Sequence, residues 1–428
     1  LFRCDAMWPR PRLLHTASQR TIASLQTVLG IETSCDDTAV AVVRSDRRVL
    51  ISRRFADRGP QARLGGICPS TVAQQHRRML PLLISDCLSS LRLRPSDLSA
   101  IAVTTRPGLV IALKEGMYAA LELARLARVP LIPVHHMRAH ALVSSLVHPR
   151  LPYPFVALLI SGGHSLIVLV RSVSDMEIVG QSEGGSAGEC LDKVGRALNL
   201  DASGMHPGAA VEQAAARAPP DGHLSYAVPG VSSSTGANFH FSALKARLLA
   251  RIARARSAVD VDRFCAVAQH HVARHLCGRL HAALEFLRDE RSIGEGTPVV
   301  VAGGVAANRY ISSCLSKLLS VHSLPLLRLP PDLCTDNAEM IAWTGLLTLA
   351  EGDRSSAVIP WSELPPSLYV EARSPIGIDR TADVPKHPRF MLKMSSIHPD
   401  GKPLIVHDKK AYRSAQLADD SLRRHTVM

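Results

Sequence analysis

The chain has 428 residues, more than one hydrophobic core usually holds, so two lobes are expected. An apolar share of 46% with only 4% aromatic residues is typical of an α/β enzyme and argues against a disordered protein, and no apolar run is long enough to span a membrane. The net charge of +13 favours a polyanionic partner, for which tRNA, DNA and an acidic membrane surface all qualify, unless arginine-rich tails carry most of the excess.

The N-terminal segment and the cysteines both bear on the compartment. Residues 1–26 include Arg10, Arg12 and Arg20 and, from Met7 onward, several hydroxyl residues and no acid, which predicts a mitochondrial transit peptide. An ordinary basic tail has a similar composition. The nine cysteines are scattered singly without a CxxC pair, which indicates buried thiols in a reducing compartment, not a disulfide framework.

A repeated hairpin pattern organises the chain. Residues 27–43 predict two short strands joined by a polar turn, and the same pattern returns at 155–170. This repeat indicates a duplicated α/β unit, with a first lobe at 27–148 and a second at 149–372. Further strands are followed by helical patterns, which predicts βαβ units and largely parallel sheets. Strands are predicted at 100–104 and 298–302, and helices at 71–92, 112–127, 188–198, 242–256, 261–288, 306–319 and 336–350.

Three interruptions complete the predicted organisation. Pro81 predicts a kink or break in the first long helix. The stretch 218–236, rich in proline, glycine and serine, predicts an exposed loop. Residues 373–428 lose periodicity and predict a flexible C-terminal tail outside the core.

Two histidines in VHHMRAHAL, His136 and His140, are four residues apart. On a helix this spacing places both imidazoles on one face, roughly 5–6 Å apart at Cβ, close enough to share a metal ion. The best third ligand is Asp336, at the predicted start of a helix. Zinc proteases with such a pair need a glutamate directly after the first histidine, but Met137 stands there, so a peptide-cleaving mechanism lacks its base. Two helix histidines that cap or face solvent also fit this spacing.

Two glycine turns follow predicted strands, SGGH at 161–164 and AGGVAAN at 302–308. Without a Cβ, backbone N–H groups can approach a phosphate, and the helix N-terminus behind the second turn favours an anion. A single such turn is usually only a tight turn, whereas two in a duplicated frame indicate a nucleotide cleft. Asn308 is the polar side chain best placed to contact the ligand.

Further polar residues are candidates for the same ligand. Asp192 lies on a predicted helix, where its carboxylate could accept hydrogen bonds from a ribose or a base. Gly208 and Glu212 stand at a loop-to-helix junction. Each carboxylate also fits an ordinary solvated helix face.

Taken in order, seven motifs across roughly residues 27–372 resemble the tRNA N6-adenosine threonylcarbamoyltransferases, most closely their mitochondrial branch. They are GIETSCDD, HHMRAHA, LLISGGHS, GECLDKV, FHFSALK, GGVAANRYI and CTDNAEMIAW. The resemblance implies an α/β fold of the duplicated actin/sugar-kinase/Hsp70-like class, with the ligand cleft between two lobes. It implies transfer of a threonylcarbamoyl group from threonylcarbamoyl-AMP to N6 of the adenosine beside the anticodon, in mitochondrial tRNAs that read codons beginning with A, with release of AMP.

The resemblance also implies the site and the partners. His136, His140 and Asp336 would hold one divalent ion, and two nitrogens with one carboxylate oxygen suit iron or zinc. The residues implied to hold the donor are Leu159, Ile160, Ser161, Gly162, Gly163, Asp192, Gly208, Glu212, Ala307, Asn308 and Thr335. The implied setting is the mitochondrial matrix, with tRNA and a separate donor-making synthase as partners, no membrane insertion, and a monomer or a homodimer.

Three positions depart from the family pattern. Gly184 stands where the family usually has an aspartate, Pro207 where it has a glycine, and Arg106 begins a turn that is usually Gly-Pro-Gly. These departures leave open a non-catalytic nucleotide-binding or chaperone-like relative, which would bind the adenylate without turning it over. A metallopeptidase is the third reading.

Overall fold

The computed structural model describes residues 25–57, 59, 66–200, 205–228, 236–255, 259–352, 357–392, 397–400 and 406–408. The predicted transit peptide therefore lies outside the described residues up to position 24. The described strands are β1 Thr27–Glu32, β2 Thr38–Arg44, β3 Val49–Phe55, β4 Ala100–Arg106, β5 Leu131–His135, β6 Phe155–Ile160, β7 Ser165–Val170, β8 Met176–Gly184, β9 Phe239–His240, β10 Val299–Ala302, β11 Leu326–Arg328, β12 Ile378–Asp379, β13 Phe390–Leu392 and β14 Val406–Asp408.

The described α-helices are α1 Pro69–Ser90, α2 Val110–Ala127, α3 His136–Leu142, α4 Ser144–Val147, α5 Ala187–Ala197, α6 Pro207–Ala215, α7 Phe241–Ala255, α8 Val261–Asp289, α9 Arg309–Val321, α10 Pro331–Cys334 and α11 Ala338–Ala350. Within the described part of the chain, no helix combines the length and the apolar character needed to cross a bilayer.

The two main sheets repeat one topology. The first has the order β3-β2-β1-β4-β5, and the second repeats it as β8-β7-β6-β10-β11, with β12 added beside β8. In each sheet the first three strands pair antiparallel, and the last two run parallel to the first strand. The predicted duplicated two-lobe α/β fold is thereby confirmed. The sheets are mixed, however, and not largely parallel, because a three-stranded meander precedes each pair of crossovers.

Two of the strands that the sequence analysis missed have weak patterns. The third strand of each repeat, β3 and β8, carries arginine, glutamate or glutamine in place of a continuous apolar run. The helix α1 continues through Pro81, so the predicted break is absent. The predicted helix at 306–319 divides into a 3₁₀ turn, Gly304–Ala307, and α9, because Asn308 ends the first and caps the second.

The described part of the predicted tail belongs to the core of the second lobe. Ile376, Val384, Leu392 and Ile397 are all buried there. The short strand β12 pairs in parallel with β8, and the next residue, Arg380, forms ion pairs with three carboxylates. The expectation that this segment lies outside the core was wrong for these residues, because its few apolar side chains are spaced too irregularly to show a helix or strand period.

The helix α11 comes late in the chain but packs against β1, β2, β4 and β5 of the first sheet. Two glycines permit this close approach. A Cβ added to Gly30 on β1 would collide with the carbonyl oxygen of Ala338 and lie 2.5 Å from the nitrogen of Ala342, and one on Gly345 would lie 2.8 Å from Ala102 Cβ. The short helix α3 contacts α11 and strands of both sheets, so it lies between the two lobes.

Replacing Gly30 with alanine should destabilise the protein, because its Cβ meets backbone atoms that cannot move without displacing α11. We expect a loss of about 1–3 kcal/mol, the usual cost of overpacking. Chemical denaturation measures it. Gly278→Ala is the control, since an added Cβ on α8 meets nothing within 4 Å and should be neutral or mildly stabilising. Equal stability of the two variants would show that α11 is not tightly seated on β1.

Candidate metal centre and the adjoining turns

Helix α3 presents two buried histidines between the lobes. It begins at His136, immediately after β5, and His140 follows one turn later. Their exposed fractions are only 6% and 1%, and the rings meet edge to face with centroids 4.6 Å apart. The alternative of a solvent-facing pair is therefore wrong.

Asp336 completes the predicted triad from the opposite end of the chain. It precedes Asn337, whose side chain caps α11 by accepting a hydrogen bond from Met340 N. One carboxylate oxygen of Asp336 lies 3.1 Å from His140 Nε2 and 3.4 Å from His136 Nε2. One ligand atom from each residue falls within 4.8 Å of the others. The structure thus brings together all three residues predicted as metal ligands.

A fourth side chain, Glu32 at the end of β1, orients His136. Its fully buried carboxylate lies 3.1 Å from His136 Nδ1 and accepts hydrogen bonds from Thr104 Oγ1 at 2.5 Å and Ser34 N at 2.6 Å. Because an ionised carboxylate only accepts, Nδ1 carries a proton that it donates to Glu32, and Nε2 is the ring nitrogen that faces Asp336. A carboxylate behind a histidine is the usual support of a metal-ligating imidazole. The sequence analysis missed Glu32, although an acid inside an otherwise apolar strand was a signal for it.

The electrostatics of the centre favour a positive charge. Burial alone would lower the pKa of His136, but Glu32 and Asp336 outweigh it and raise that pKa to about 10. Burial would raise the pKa of Asp336, yet the two histidines hold it well below its usual value. Burial lowers the pKa of His140 and so keeps its imidazole neutral. The two carboxylates carry two negative charges, and a proton on His136 supplies only one positive charge. Two carboxylates with two imidazoles therefore suit a divalent transition ion.

The first glycine turn lies beside this centre. Ser161 Oγ accepts hydrogen bonds from the backbone nitrogens of Gly163 and His164. Gly162 and Gly163 are exposed, and an added Cβ on either would meet no atom within 4 Å, so their backbone faces open space. The turn follows β6, which contacts α3, the helix of the two predicted histidine ligands. Burial lowers the pKa of His164 to about 4, and His136 and His140 act in the same direction.

Two predicted donor residues on β6 and one at the second turn have little freedom to act through their side chains. Leu159 and Ile160 are fully buried. The Asn308 carbonyl accepts the Ile311 N–H at 2.9 Å, and its amide nitrogen donates to Gln269 at 2.9 Å, so the protein itself uses both ends of the side chain. Ala307, at the end of the 3₁₀ turn, is exposed.

The two predicted carboxylates fasten the loops of this region together. Asp192 on α5 accepts a hydrogen bond of 2.7 Å from the Gly208 nitrogen at the start of α6. Glu212 accepts one of 2.8 Å from the Arg309 nitrogen at the start of α9. Asp192, Gly208, Glu212 and the second turn therefore form one continuous hydrogen-bonded region.

Thr335 joins that region to the metal centre. Its hydroxyl accepts a hydrogen bond from Arg54 on β3, and the same nitrogen of Arg54 lies 3.3 Å from the carbonyl oxygen of Asp336. The preceding helix α10 contacts the turn Gly304–Ala307. No pattern in the sequence pointed to Arg54, because its role depends on how β3 lies against a segment from the other end of the chain.

Comparison with known proteins shows which protein family the chain belongs to. Residues 49–343 match the family model TsaD, tRNA N6-adenosine threonylcarbamoyltransferase. A probable mitochondrial tRNA N6-adenosine threonylcarbamoyltransferase of Caenorhabditis elegans is 46% identical, with 87% of this chain and 89% of the relative covered. The chain belongs to the tRNA N6-adenosine threonylcarbamoyltransferase family. The human mitochondrial enzyme of that name is 36% identical, with 83% and 87% covered.

Family membership confirms the resemblance and the enzyme class predicted from the sequence. Among solved structures, HypF of T. kodakarensis is 16% identical with a TM-score of 0.49, over 76% of this chain and 48% of that one.

Replacing Glu32 with glutamine should weaken metal binding without removing a ligand. The amide can no longer serve as a purely accepting partner for Nδ1–H, and loss of such support typically costs about 10–100-fold in metal affinity. Competition with a chelator of known affinity measures the change. Glu115→Gln is the control, since Glu115 pairs with exposed Arg77 and with neither histidine of the centre. An unchanged affinity in Glu32→Gln would contradict the assigned role.

Proposed function

We propose that this protein transfers the threonylcarbamoyl group from threonylcarbamoyl-AMP to N6 of the adenosine adjacent to the anticodon, in mitochondrial tRNAs that read codons beginning with A, and releases AMP. The observation that carries the proposal is the convergence of His136, His140 and Asp336 beside the glycine turn at 161–164, in a chain of this family.

The proposed metal is one divalent ion, iron or zinc, held by His136, His140 and Asp336. Two imidazole nitrogens and a carboxylate oxygen are a ligand set that both ions accept. When bound, the ion supplies a Lewis acid that stabilises the negative charge developing on the group being transferred. Glu32 keeps His136 in the tautomer that leaves Nε2 free for it.

The chain's own residues then bind and orient the donor. We propose that the turn Ser161–Gly163 contacts it through the backbone, since glycine allows close approach. Asp192, Gly208, Glu212, Ala307, Asn308 and Thr335 shape the adjoining region, with Asp192 and Glu212 fixing its loops by backbone hydrogen bonds. An adenine amino group is a poor nucleophile, so holding the mixed anhydride and N6 in line supplies much of the rate gain. We assign no general base, because adenylate is a good leaving group.

The proposed setting is the mitochondrial matrix. The nematode and human relatives are named as mitochondrial enzymes, and the basic N-terminal segment agrees with that location. The net charge of +13 suits tRNA as the polyanionic partner. We propose that a separate synthase supplies the donor to this protein, working as a monomer or a homodimer.

The three departures from the family pattern do not favour a non-catalytic relative. Pro207 occupies the first position of α6, where a missing N–H costs nothing, and Gly208 N still reaches Asp192. At Gly184 an added Cβ would lie 3.0 Å from Ser242 Oγ, so the Ser242 side chain occupies space that a larger residue at position 184 would need. The turn that begins at Arg106 keeps Gly108, where a Cβ would lie 2.7 Å from the carbonyl oxygen of Ser34.

The decisive experiment is transfer to unmodified tRNA. Purified protein, tRNA and threonylcarbamoyl-AMP should yield the modified nucleoside, detected by mass spectrometry of digested tRNA. Asp336→Asn should lower the rate at least about 100-fold, since it removes a ligand carboxylate. Asp332→Asn is the matched control, because Asp332 lies exposed on α10, four residues earlier.

Two outcomes would overturn the proposal. Tight calorimetric binding of the adenylate by the wild-type protein, without product, would indicate the non-catalytic reading. Metal-dependent peptide cleavage that His136→Ala abolishes would indicate a peptidase, although buried Met137 stands where that mechanism needs a glutamate.

Substitution of Gly162 by alanine tests the donor-binding turn. The new methyl group meets no protein atom within 4 Å, so thermal stability should stay within about 0.5 kcal/mol of wild type. It occupies the space through which we propose the donor approaches, so the KM for threonylcarbamoyl-AMP should rise severalfold. Gly294→Ala, also open by the same measure, is the control. An unchanged KM would show that the donor does not bind at this turn.

A further inference from the structure

A second group of metal-ligating side chains lies away from the centre just described. His281 and Glu285 are one turn apart on α8, and His322 follows the last residue of α9. Their exposed fractions are 3%, 8% and 4%. One nitrogen of each imidazole and one carboxylate oxygen lie within 4.8 Å of one another. Of the residues that the structure describes, only this group and the His136 centre meet that criterion with three or more ligands.

Hydrogen bonds fix the protonation of the two imidazoles. His281 Nε2 lies 2.8 Å from the carbonyl oxygen of Phe390, which can only accept, so Nε2 carries the proton. The lone pair on His281 Nδ1 then faces His322 Nε2 at 3.0 Å. When His322 donates from Nε2, its own Nδ1 is an acceptor that faces a carboxylate oxygen of Glu285 at 4.0 Å. When the proton of His322 is on Nδ1 instead, beside Glu285, the lone pairs of His281 Nδ1 and His322 Nε2 face each other and leave a place for a cation.

The charges around the group are consistent with a cation. Burial lowers the pKa of both His281 and His322, which favours the neutral imidazole that binds metals. Burial raises the pKa of Glu285, and Asp289 acts in the same direction, while Arg288 and Arg389 oppose them. A bound divalent ion would relieve the cost of burying the Glu285 carboxylate.

We propose that His281, Glu285 and His322 form a second, structural site for a divalent transition ion such as zinc. Tetrahedral zinc at 2.0–2.1 Å from each imidazole needs nitrogens about 3.3 Å apart, close to the 3.0 Å between the two rings. The Nε2–H of His281 already donates to a backbone carbonyl, as metal-bound imidazoles usually do. This site does not depend on the proposed transfer reaction.

The site would tie the C-terminal segment to the second lobe. The carbonyl of Phe390, on β13, receives its hydrogen bond from a proposed ligand, and Arg288 Nη2 donates to the carbonyl of His322 at 2.6 Å. An ion at this point would therefore link α8, α9 and β13.

Metal analysis of the full-length chain tests the proposal. After loading with zinc and gel filtration, we expect two zinc ions per chain in the wild type, one in Asp336→Asn, one in Glu285→Gln and none in the double variant. His275→Gln, at another buried histidine of α8, should keep both ions. If Glu285→Gln keeps two ions, or if Asp336→Asn alone removes all bound metal, the second site does not exist.

A spectroscopic measurement avoids any variant of the second site itself. Asp336→Asn leaves His281, Glu285 and His322 unchanged, so cobalt added to that variant should give the visible absorption bands of a tetrahedral nitrogen–oxygen site. We also expect zinc to raise its Tm by several degrees, as a ligand specific to the folded state does. Failure to observe either effect in this folded variant would overturn the proposal.

Discussion

The close contact between α11 and the first sheet is the constraint on which the candidate centre depends. Asp336 lies 200 residues after His136 in the chain, and only the seating of the following helix against β1 fixes where its carboxylate lies. Gly30 and Gly345 make this seating possible, because any side chain at either position would push helix and sheet apart. Packing of this kind tolerates little displacement, since interiors are as dense as organic crystals. The packing of α11 on β1 takes no part in metal binding, but it fixes the position of Asp336 relative to the two histidines.

The buried carboxylate of Glu32 is the second constraint on the candidate centre. An ionised acid with no exposed surface is costly unless its oxygens are hydrogen-bonded, and Thr104, Ser34 and His136 provide the partners here. The same bonds orient the ring of His136, so the stabilisation of Glu32 and the orientation of a proposed metal ligand are a single interaction. The raised pKa of His136 is the consequence in the metal-free protein, where a proton balances charge that an ion would otherwise balance.

The sequence predicted well wherever function or folding leaves a local pattern. The repeated hairpin predicted the duplicated topology, and the i, i+4 spacing predicted that His136 and His140 share a helix face. The sequence did not predict the role of a residue where that role depends on partners far away in the chain. The role of Glu32 appears only once β1 meets α3, and that of Arg54 only once β3 meets Thr335 from a late segment of the chain. The buried tail residues Ile376, Val384, Leu392 and Ile397 were missed because they pack against distant parts of the core and follow no helix or strand period.

The polar side chains of the proposed donor region form hydrogen bonds within the protein. Asn308 caps α9 and bonds Gln269, Asp192 holds Gly208 N, and Glu212 holds Arg309 N, so each is engaged within the protein. The space beside the α-carbons of Gly162 and Gly163 is open, since an added Cβ on either residue would meet no atom within 4 Å. Recognition through backbone depends on the shape of the loops more than on the identity of one side chain. A proline at position 207 is then tolerable, because it preserves the start of α6 and the Asp192–Gly208 hydrogen bond that sets the loop.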